Sequence, residues 1–204
     1  MLMQVTIPNF LDDEKLNKCL SYYNKDGSPK LELEEWKEVT IVPNNHHLEY
    51  MHSYSSFFSD EGFKNYFLDK VKPYINTDGF KFRAGMLRSI QIGGRAPWHS
   101  DHTPTLKEEV LAITIFLNEE WQLSWGGLYL YHLDGMNRFL IPKFNEANCL
   151  LSPVEHSIST IDKDAKAPRN SLQLFFFRDL IEKPKDPEVS EKIIKPKMDW
   201  VNRG

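Results

Sequence analysis

The chain has 204 residues, 41% of them hydrophobic and 26% charged, with a formal net charge of −4 at pH 7. That length suits one domain with a full-sized core, and the balance of apolar and charged residues is that of a globular chain. The acidic surplus argues against a strongly basic nucleic-acid surface, so no nucleic-acid partner is expected.

The first residues, MLMQVTIPNFLDDEKL, have no basic start ahead of an apolar run and do not read as a signal peptide. Asp12-Asp13-Glu14 precedes Leu16, Cys19, Leu20 and Tyr23. An acidic start ahead of apolar residues at helical spacing predicts a helix near 12–24, broken by Asp26-Gly27-Ser28-Pro29. The stretch 30–55 shows no clear period, and His46, His47 and His52 within it read as surface histidines. A second helix is predicted over 60–75, with Phe63, Tyr66, Phe67, Val71 and Tyr74 on one side.

From about residue 80 the period changes to two. Phe80 to Arg83 and Leu87 to Ile92 alternate apolar with polar residues, and Gly93-Gly94-Arg95-Ala96-Pro97 makes a turn. Leu111–Leu117, Leu128–Tyr131, Arg138–Ile141, Asn148–Leu151, Ser157–Ile161 and Ser171–Arg178 follow as short strands bounded by Pro, Gly, Asn or Asp. Short strands at this spacing belong to a sandwich or jelly roll, and helices before strands exclude a doubly wound parallel sheet. The expected organisation is one domain over 1–180, with a helical lead (1–80) and a β core (81–180), then a Lys-, Pro- and Glu-rich tail (181–204). No stretch approaches the roughly 20 apolar residues that cross a bilayer, so no membrane association is expected. Cys19 and Cys149, the only two cysteines, do not form a disulfide framework; reduced thiols and a cytoplasmic location are expected.

Trp98-His99-Ser100-Asp101-His102 follows the Gly-rich turn. In extended chain, side chains two apart point the same way, so His99 and Asp101 share a face while His102, a rival ligand, points away. An imidazole and a carboxylate converging in this way suit a divalent metal. Two histidines and one carboxylate on one face of iron(II) leave the other face open. His156 opens a later strand and is the expected third ligand. Arg169, in Pro168-Arg169-Asn170-Ser171, opens the last core strand and offers a planar fork for a carboxylate, with Lys166 nearby as the competing cation. Arg88, Gln91 and Trp98 flank the candidate ligands and could line a pocket; Trp121 and Trp125 read as packing around Gly126-Gly127, and Asn118 as satisfying a turn. Tyr129 and Tyr131 share one face, inward or outward, and Cys149 reads as a small core residue.

Gln91-Ile92-Gly93-Gly94, Trp98-His99-Ser100-Asp101, Ile115-Phe116-Leu117-Asn118, Trp121 with Gly126-Gly127, His156, and Arg169-Asn170-Ser171 occur in that order over residues 85–178. This series resembles the iron(II)/2-oxoglutarate-dependent dioxygenase superfamily, in its prolyl-4-hydroxylase-like branch. The resemblance implies a mainly β fold, a double-stranded β-helix or jelly roll with N-terminal supporting helices. It implies Fe(II) held by His99, Asp101 and His156 as the catalytic residues, 2-oxoglutarate as co-substrate and dioxygen as oxidant, with ascorbate as a possible reductant. It assigns the far carboxylate of 2-oxoglutarate to Arg169 with Ser171, and a further co-substrate contact to Gln91, where the family often has Tyr. Collagen-type members use Lys at the Arg169 role, which keeps Lys166 in play. Asp101 stands where halogenating members have Gly or Ala, which favours hydroxylation. DNA-repair members place a second pocket Arg closer to the distal His than Arg178 lies here. The expected substrate is a prolyl or other residue of a peptide or protein, or a free amino acid or similar small molecule, with lids formed by 43–56 and 102–109. The alternative is a non-catalytic jelly-roll module holding a structural metal; zinc there would prefer a fourth ligand.

Overall fold

The structure is a computed structural model that describes residues 3–33, 35–40, 48–53, 58, 60–101 and 108–179. In chain order the elements are β1 (Gln4–Ile7), α1 (Asp13–Leu20), β2 (Trp36–Thr40), β3 (Leu48–His52), α2 (Glu61–Val71), β4 (Lys81–Ile90), β5 (Ala96–His99), β6 (Glu108–Phe116), β7 (Tyr129–Leu133), β8 (Met136–Leu140), β9 (Ala147–Leu151), β10 (His156–Ile158) and β11 (Arg169–Asp179). The strands form a seven-stranded sheet in the order β1-β9-β6-β11-β4-β3-β2 and a four-stranded sheet in the order β5-β10-β7-β8. The pairing within both sheets is antiparallel.

The large sheet is covered on both faces. On one side, Leu87, Ile113, Ile115, Leu172, Leu174 and Phe176 pack with Phe10, Cys19, Phe63, Phe67 and Val71 from the helical layer. On the other side, Ile90 packs with Ala96 and Ile158, and Phe116 and Leu150 pack with Tyr129 and Tyr131 of the small sheet. Burial on both faces is why β6 and β9 read as near-continuous apolar runs rather than as alternating strands. In β11 the alternation survives: Leu172, Leu174 and Phe176 point to the helices, so Arg169, Ser171 and Gln173 point between the sheets. A buried polar stripe inside a sandwich costs stability unless it has a partner, and it marks where the site lies.

Both helices start on an aspartate that caps them. Asp12 Oδ1 accepts from Lys15 N at 2.9 Å, and Asp60 Oδ1 accepts from Gly62 N at 2.8 Å. Each such cap is worth about 1 kcal/mol. Helix α1 ends earlier than the sequence predicts, at Leu20, because the chain turns to let Tyr23 bridge Pro29. In α2, Phe63, Phe67 and Val71 are buried, but Tyr74 lies beyond the helix end and is exposed.

The lead over 1–80 is not purely helical. It contributes β1, which pairs with β9, and the β2–β3 pair, which extends the large sheet beside β4. His52 is not a surface histidine: it ends β3 fully buried, with Tyr22 and Trp36 edge-on to its ring at 4.7 and 5.5 Å. His46, His47, His102, most of the two lid segments and the tail lie outside the described residues. No helix among the described residues is long and apolar enough to cross a membrane.

Candidate active site

Strand β5 ends on His99, and β10 begins on His156; the two pair directly across the small sheet. Their ring centroids lie 4.3 Å apart. Asp101 follows β5 by two residues and turns its carboxylate inward: Oδ1 is 3.8 Å from His99 Nε2 and Oδ2 is 3.5 Å from His156 Nε2. One donor atom from each of the three lies within 4.8 Å of the others.

The backbone sets which nitrogen of each ring faces the site. His99 Nδ1 is 2.8 Å from the Pro97 carbonyl, and His156 Nδ1 is 3.2 Å from the Val154 carbonyl. A carbonyl only accepts, so Nδ1 carries the proton in both rings and each Nε2 presents a lone pair. Two lone pairs and a carboxylate facing one another repel unless a cation lies between them. The donor set is the two-histidine, one-carboxylate facial arrangement that suits iron(II).

Burial holds the His156 imidazole below its ordinary value of 6.5; Asp101 opposes that shift, and His99 adds to it. The unfolded chain therefore binds a proton that the folded chain resists. The metal-free protein is expected to lose stability as pH falls below about 6.5 toward the depressed folded value, and to gain it back as pH rises through that window. Chemical denaturation between pH 5 and 8 checks the sign, and a flat profile for wild type against His156→Ala would contradict it.

Arg169 opens β11 on the face that looks between the sheets. It is fully buried, its guanidinium lies 5.2 Å from the Phe116 ring centroid, and none of its three side-chain nitrogens has a hydrogen-bond partner among the described residues. Ser171 Oγ, two residues along the same face, is likewise buried without a partner. Burial lowers the Arg169 pKa to about 10, so the group stays cationic at neutral pH. A buried cation without an anion costs several kcal/mol, so this pair fits a ligand carboxylate. Lys166, the competing cation, is exposed.

The chain makes room for Arg169 and clamps it. Gly127 has a φ of +60°, and a Cβ there would meet Trp121 at 2.8 Å and Arg169 Cδ at 3.2 Å. Asn118 brackets Arg169 from both sides: its amide donates to the Pro168 carbonyl at 2.8 Å, and its Oδ1 accepts from Asn170 N at 2.7 Å. Its part is thus larger than satisfying its own turn. Asn118→Ala is expected to cost about 2–3 kcal/mol by leaving two buried backbone groups unpaired. It should also weaken carboxylate binding at Arg169 while leaving metal affinity unchanged, which melting and calorimetry together would show.

Around the three candidate ligands the cavity is lined by Arg88, Thr114, Tyr129, Ile158, Gln173 and Phe175. Tyr129 and Tyr131 face inward, and Tyr129 stacks on His156 with centroids 5.4 Å apart. Gln91 is not brought to this cavity. Its amide donates to Ser89 Oγ at 3.2 Å, and Ser89 is out of phase with the inward Arg88 and Ile90. Trp98, one residue out of phase with His99, is 47% exposed. Trp121 donates to the Gly126 carbonyl and packs edge-on to buried Trp125, while Cys19 and Cys149 are free, buried thiols. Arg178 is engaged with Glu109 and with the carbonyls of Asn76 and Asp78. Glu49, inside the stretch with no readable period, is buried against Arg88 and was not visible as a site residue in the sequence.

Neither a protein-family model nor a curated protein matches the sequence. Solved structures do match the fold. A prolyl-4-hydroxylase from Pseudomonas putida has a TM-score of 0.61 at 18% identity, over 86% of this chain and 91% of its own. A prolyl hydroxylase from Trichoplax adhaerens, in complex with a hypoxia inducible factor oxygen degradation domain peptide fragment, has a TM-score of 0.61 at 13% identity, over 95% and 88%. The non-heme alpha ketoglutarate dependent epimerase SnoN from nogalamycin biosynthesis has a TM-score of 0.62 at 9% identity, over 87% and 78%. The chain therefore has the double-stranded β-helix fold of 2-oxoglutarate-dependent oxygenase structures. Hydroxylases and an epimerase share that fold, so it is the site that has to choose the reaction.

Proposed function

We propose that the protein is an iron(II)- and 2-oxoglutarate-dependent dioxygenase that hydroxylates an unactivated C–H bond. The observation that carries this reading is the Arg169 guanidinium, fully buried on the β11 face that looks between the sheets and without a hydrogen-bond partner among the described residues, in a fold that also gathers His99, Asp101 and His156. A structural metal site has no use for a buried cation that waits for a carboxylate. That argues against the non-catalytic module, as does the set of three donors found among the described residues, where zinc would take four.

His99, Asp101 and His156 would hold iron(II), and Arg169 with Ser171 would hold the far carboxylate of 2-oxoglutarate. With both bound, the chemistry supplied is activation of dioxygen: one oxygen atom enters the substrate C–H bond as a hydroxyl, and the other enters succinate as 2-oxoglutarate releases carbon dioxide. The protein's own tasks are separate from this. The Pro97 and Val154 carbonyls fix the histidine tautomers. Asn118 and Gly127 fix Arg169. Tyr129, Ile158 and Phe175 give the cavity apolar walls that exclude water. The two buried thiols suit a reducing, cytoplasmic setting.

The test is succinate release from 2-oxoglutarate with iron(II), ascorbate and candidate substrates, alongside calorimetry of 2-oxoglutarate on metal-loaded protein. Binding and substrate-stimulated succinate are expected. Absence of 2-oxoglutarate binding at millimolar concentration would leave the metal-module reading standing instead.

A further inference from the structure

Arg169 and Ser171 account for one carboxylate of 2-oxoglutarate, and the candidate metal ligands for its other end. A second arginine remains. Arg88 lies on β4 directly opposite Ser171 and lines the cavity with His99, Asp101, His156 and Gln173. It is 9% exposed, and Glu49, 1% exposed, holds it from β3. Arg88 Nη2 donates to Glu49 Oε2 at 2.9 Å, and Arg88 Nε closely approaches Glu49 Oε1. The Glu49 carboxylate is thus spent on Arg88. Nη1 is the part of the guanidinium left over. Its one hydrogen bond among the described residues is long, 3.5 Å, to Gln173 Oε1 on the cavity wall.

Away from Arg169, the sheet face around Arg88 is apolar but for Gln173. Met86 and Ala84 are in phase with Arg88 on β4, and Met51 stands opposite it on β3. Gln173 and Phe175 stand opposite Met86 and Ala84 on β11. Met51, Ala84, Met86 and Phe175 are each half-buried. A donor set in such a floor selects one acceptor atom on an otherwise apolar group, because leaving it unmatched under a ligand is costly. The groups already around Arg88 decide the kind of acceptor. Its charge is paired with Glu49. Burial, helped by Arg169, lowers its pKa to about 9, and Asp101 on the cavity wall opposes that fall. A ligand carboxylate at Nη1 would share one cation with two fixed anions, and the side-on fork that makes Arg–carboxylate pairs strong is already filled by Glu49. A neutral carbonyl oxygen needs only the one donor and brings no charge into a buried site.

We infer that Arg88 is a substrate-specificity residue whose Nη1 donates to a neutral carbonyl oxygen, such as that of an amide, on the molecule to be hydroxylated. Glu49 is its positioning residue: it aims the guanidinium and cancels its charge. The assignment rests on the dioxygenase reading above.

The experiment gives wild-type protein, with iron(II), ascorbate and 2-oxoglutarate, three sets of probes: the N-acetyl amides of the twenty L-amino acids, the matching N-acetyl acids, and blocked tripeptides with each residue between glycines. Succinate above the substrate-free rate is read. At least one amide or blocked tripeptide is expected to stimulate turnover, with the matching acid poorer by about 10-fold or more in KM. A better tripeptide assigns the carbonyl to a peptide, and a better single-residue amide to a small molecule. Arg88→Met alone would strand a buried carboxylate, so the variant is Arg88→Met with Glu49→Met. It should raise the KM of the amide about 10-fold and leave calorimetric 2-oxoglutarate affinity unchanged, which also shows that it is folded. Glu49→Gln keeps an acceptor for Arg88 but frees its charge, so the acids should gain about 10-fold relative to the amides; a merely structural pair would not change this preference. If 2-oxoglutarate binds but no neutral probe stimulates turnover, or acids serve wild type as well as amides, the assignment fails while the dioxygenase reading stands. A loss of 2-oxoglutarate affinity in the double variant also overturns it, making Arg88 a co-substrate group. If wild-type protein does not bind 2-oxoglutarate, the dioxygenase reading fails first, and this assignment with it.

Discussion

Arg169→Met is expected to weaken 2-oxoglutarate binding about 100-fold or more and, in the absence of 2-oxoglutarate, to raise the melting temperature. The two effects have one cause. Arg169 is completely buried and its three nitrogens have no hydrogen-bond partner among the described residues, so the free protein carries a desolvated charge that no hydrogen bond from them compensates. Replacing buried charge by a well-packed apolar side chain often stabilises by about 1–4 kcal/mol. Methionine is flexible enough to fill the space beside Phe116 without a large cavity. The same substitution removes a planar, bidentate cation from a ligand carboxylate, a charge-assisted interaction worth about 3 kcal/mol, or roughly 100-fold in Kd. Melting curves with and without 2-oxoglutarate, together with calorimetry, separate these effects. A variant that melts lower than wild type in the free state, or binds 2-oxoglutarate normally, would show that Arg169 is structural and would return Lys166 to consideration.

The same residue shows how far the sequence could be read. Ser171 and Gln173 alternate with Leu172 and Leu174, and Arg169 is in phase with them, so the period-two pattern of β11 already exposes a polar stripe facing the interior. His99 and Asp101 are two apart and local, and their shared face follows from chain geometry alone. The pairing of His99 with His156 is different. It depends on the order of the small sheet, which no local pattern encodes, so spacing alone does not bring His156 to His99. The N-terminal third was less legible for the same reason. Strands β1, β2 and β3 are edge or near-edge strands added to a sheet built from later residues, and their sequences carry few alternating apolar positions of their own. Glu49 was missed because its significance exists only once β3 lies beside β4 and brings it to Arg88. Gln91 stands at the matching point in the motif, just past β4, and its amide donates to Ser89 Oγ, a contact that the motif alone does not reveal.

Asp101→Asn is expected to abolish 2-oxoglutarate turnover while keeping the fold, and it tests the metal centre more sharply than alanine does. Asp101 is buried, and its two oxygens lie 3.8 and 3.5 Å from the Nε2 atoms of His99 and His156. Asparagine keeps the volume, removes the charge and gains an amide donor that can satisfy one imidazole lone pair. The metal-free variant should therefore melt at or above the wild-type temperature, since a cluster of acceptors facing one another has been relieved. Iron affinity should fall by more than about 100-fold, since losing a group that merely braces a metal ligand already costs 10- to 100-fold. Equilibrium dialysis with ferrous iron under anaerobic conditions measures this directly, without relying on activity. Binding of 2-oxoglutarate should weaken only in the presence of metal, because Arg169 and Ser171 are untouched and the lost contact is the one made through the ion. A variant that retains wild-type iron content would remove Asp101 from the coordination set and, with it, the reason for placing the chemistry between these two histidines.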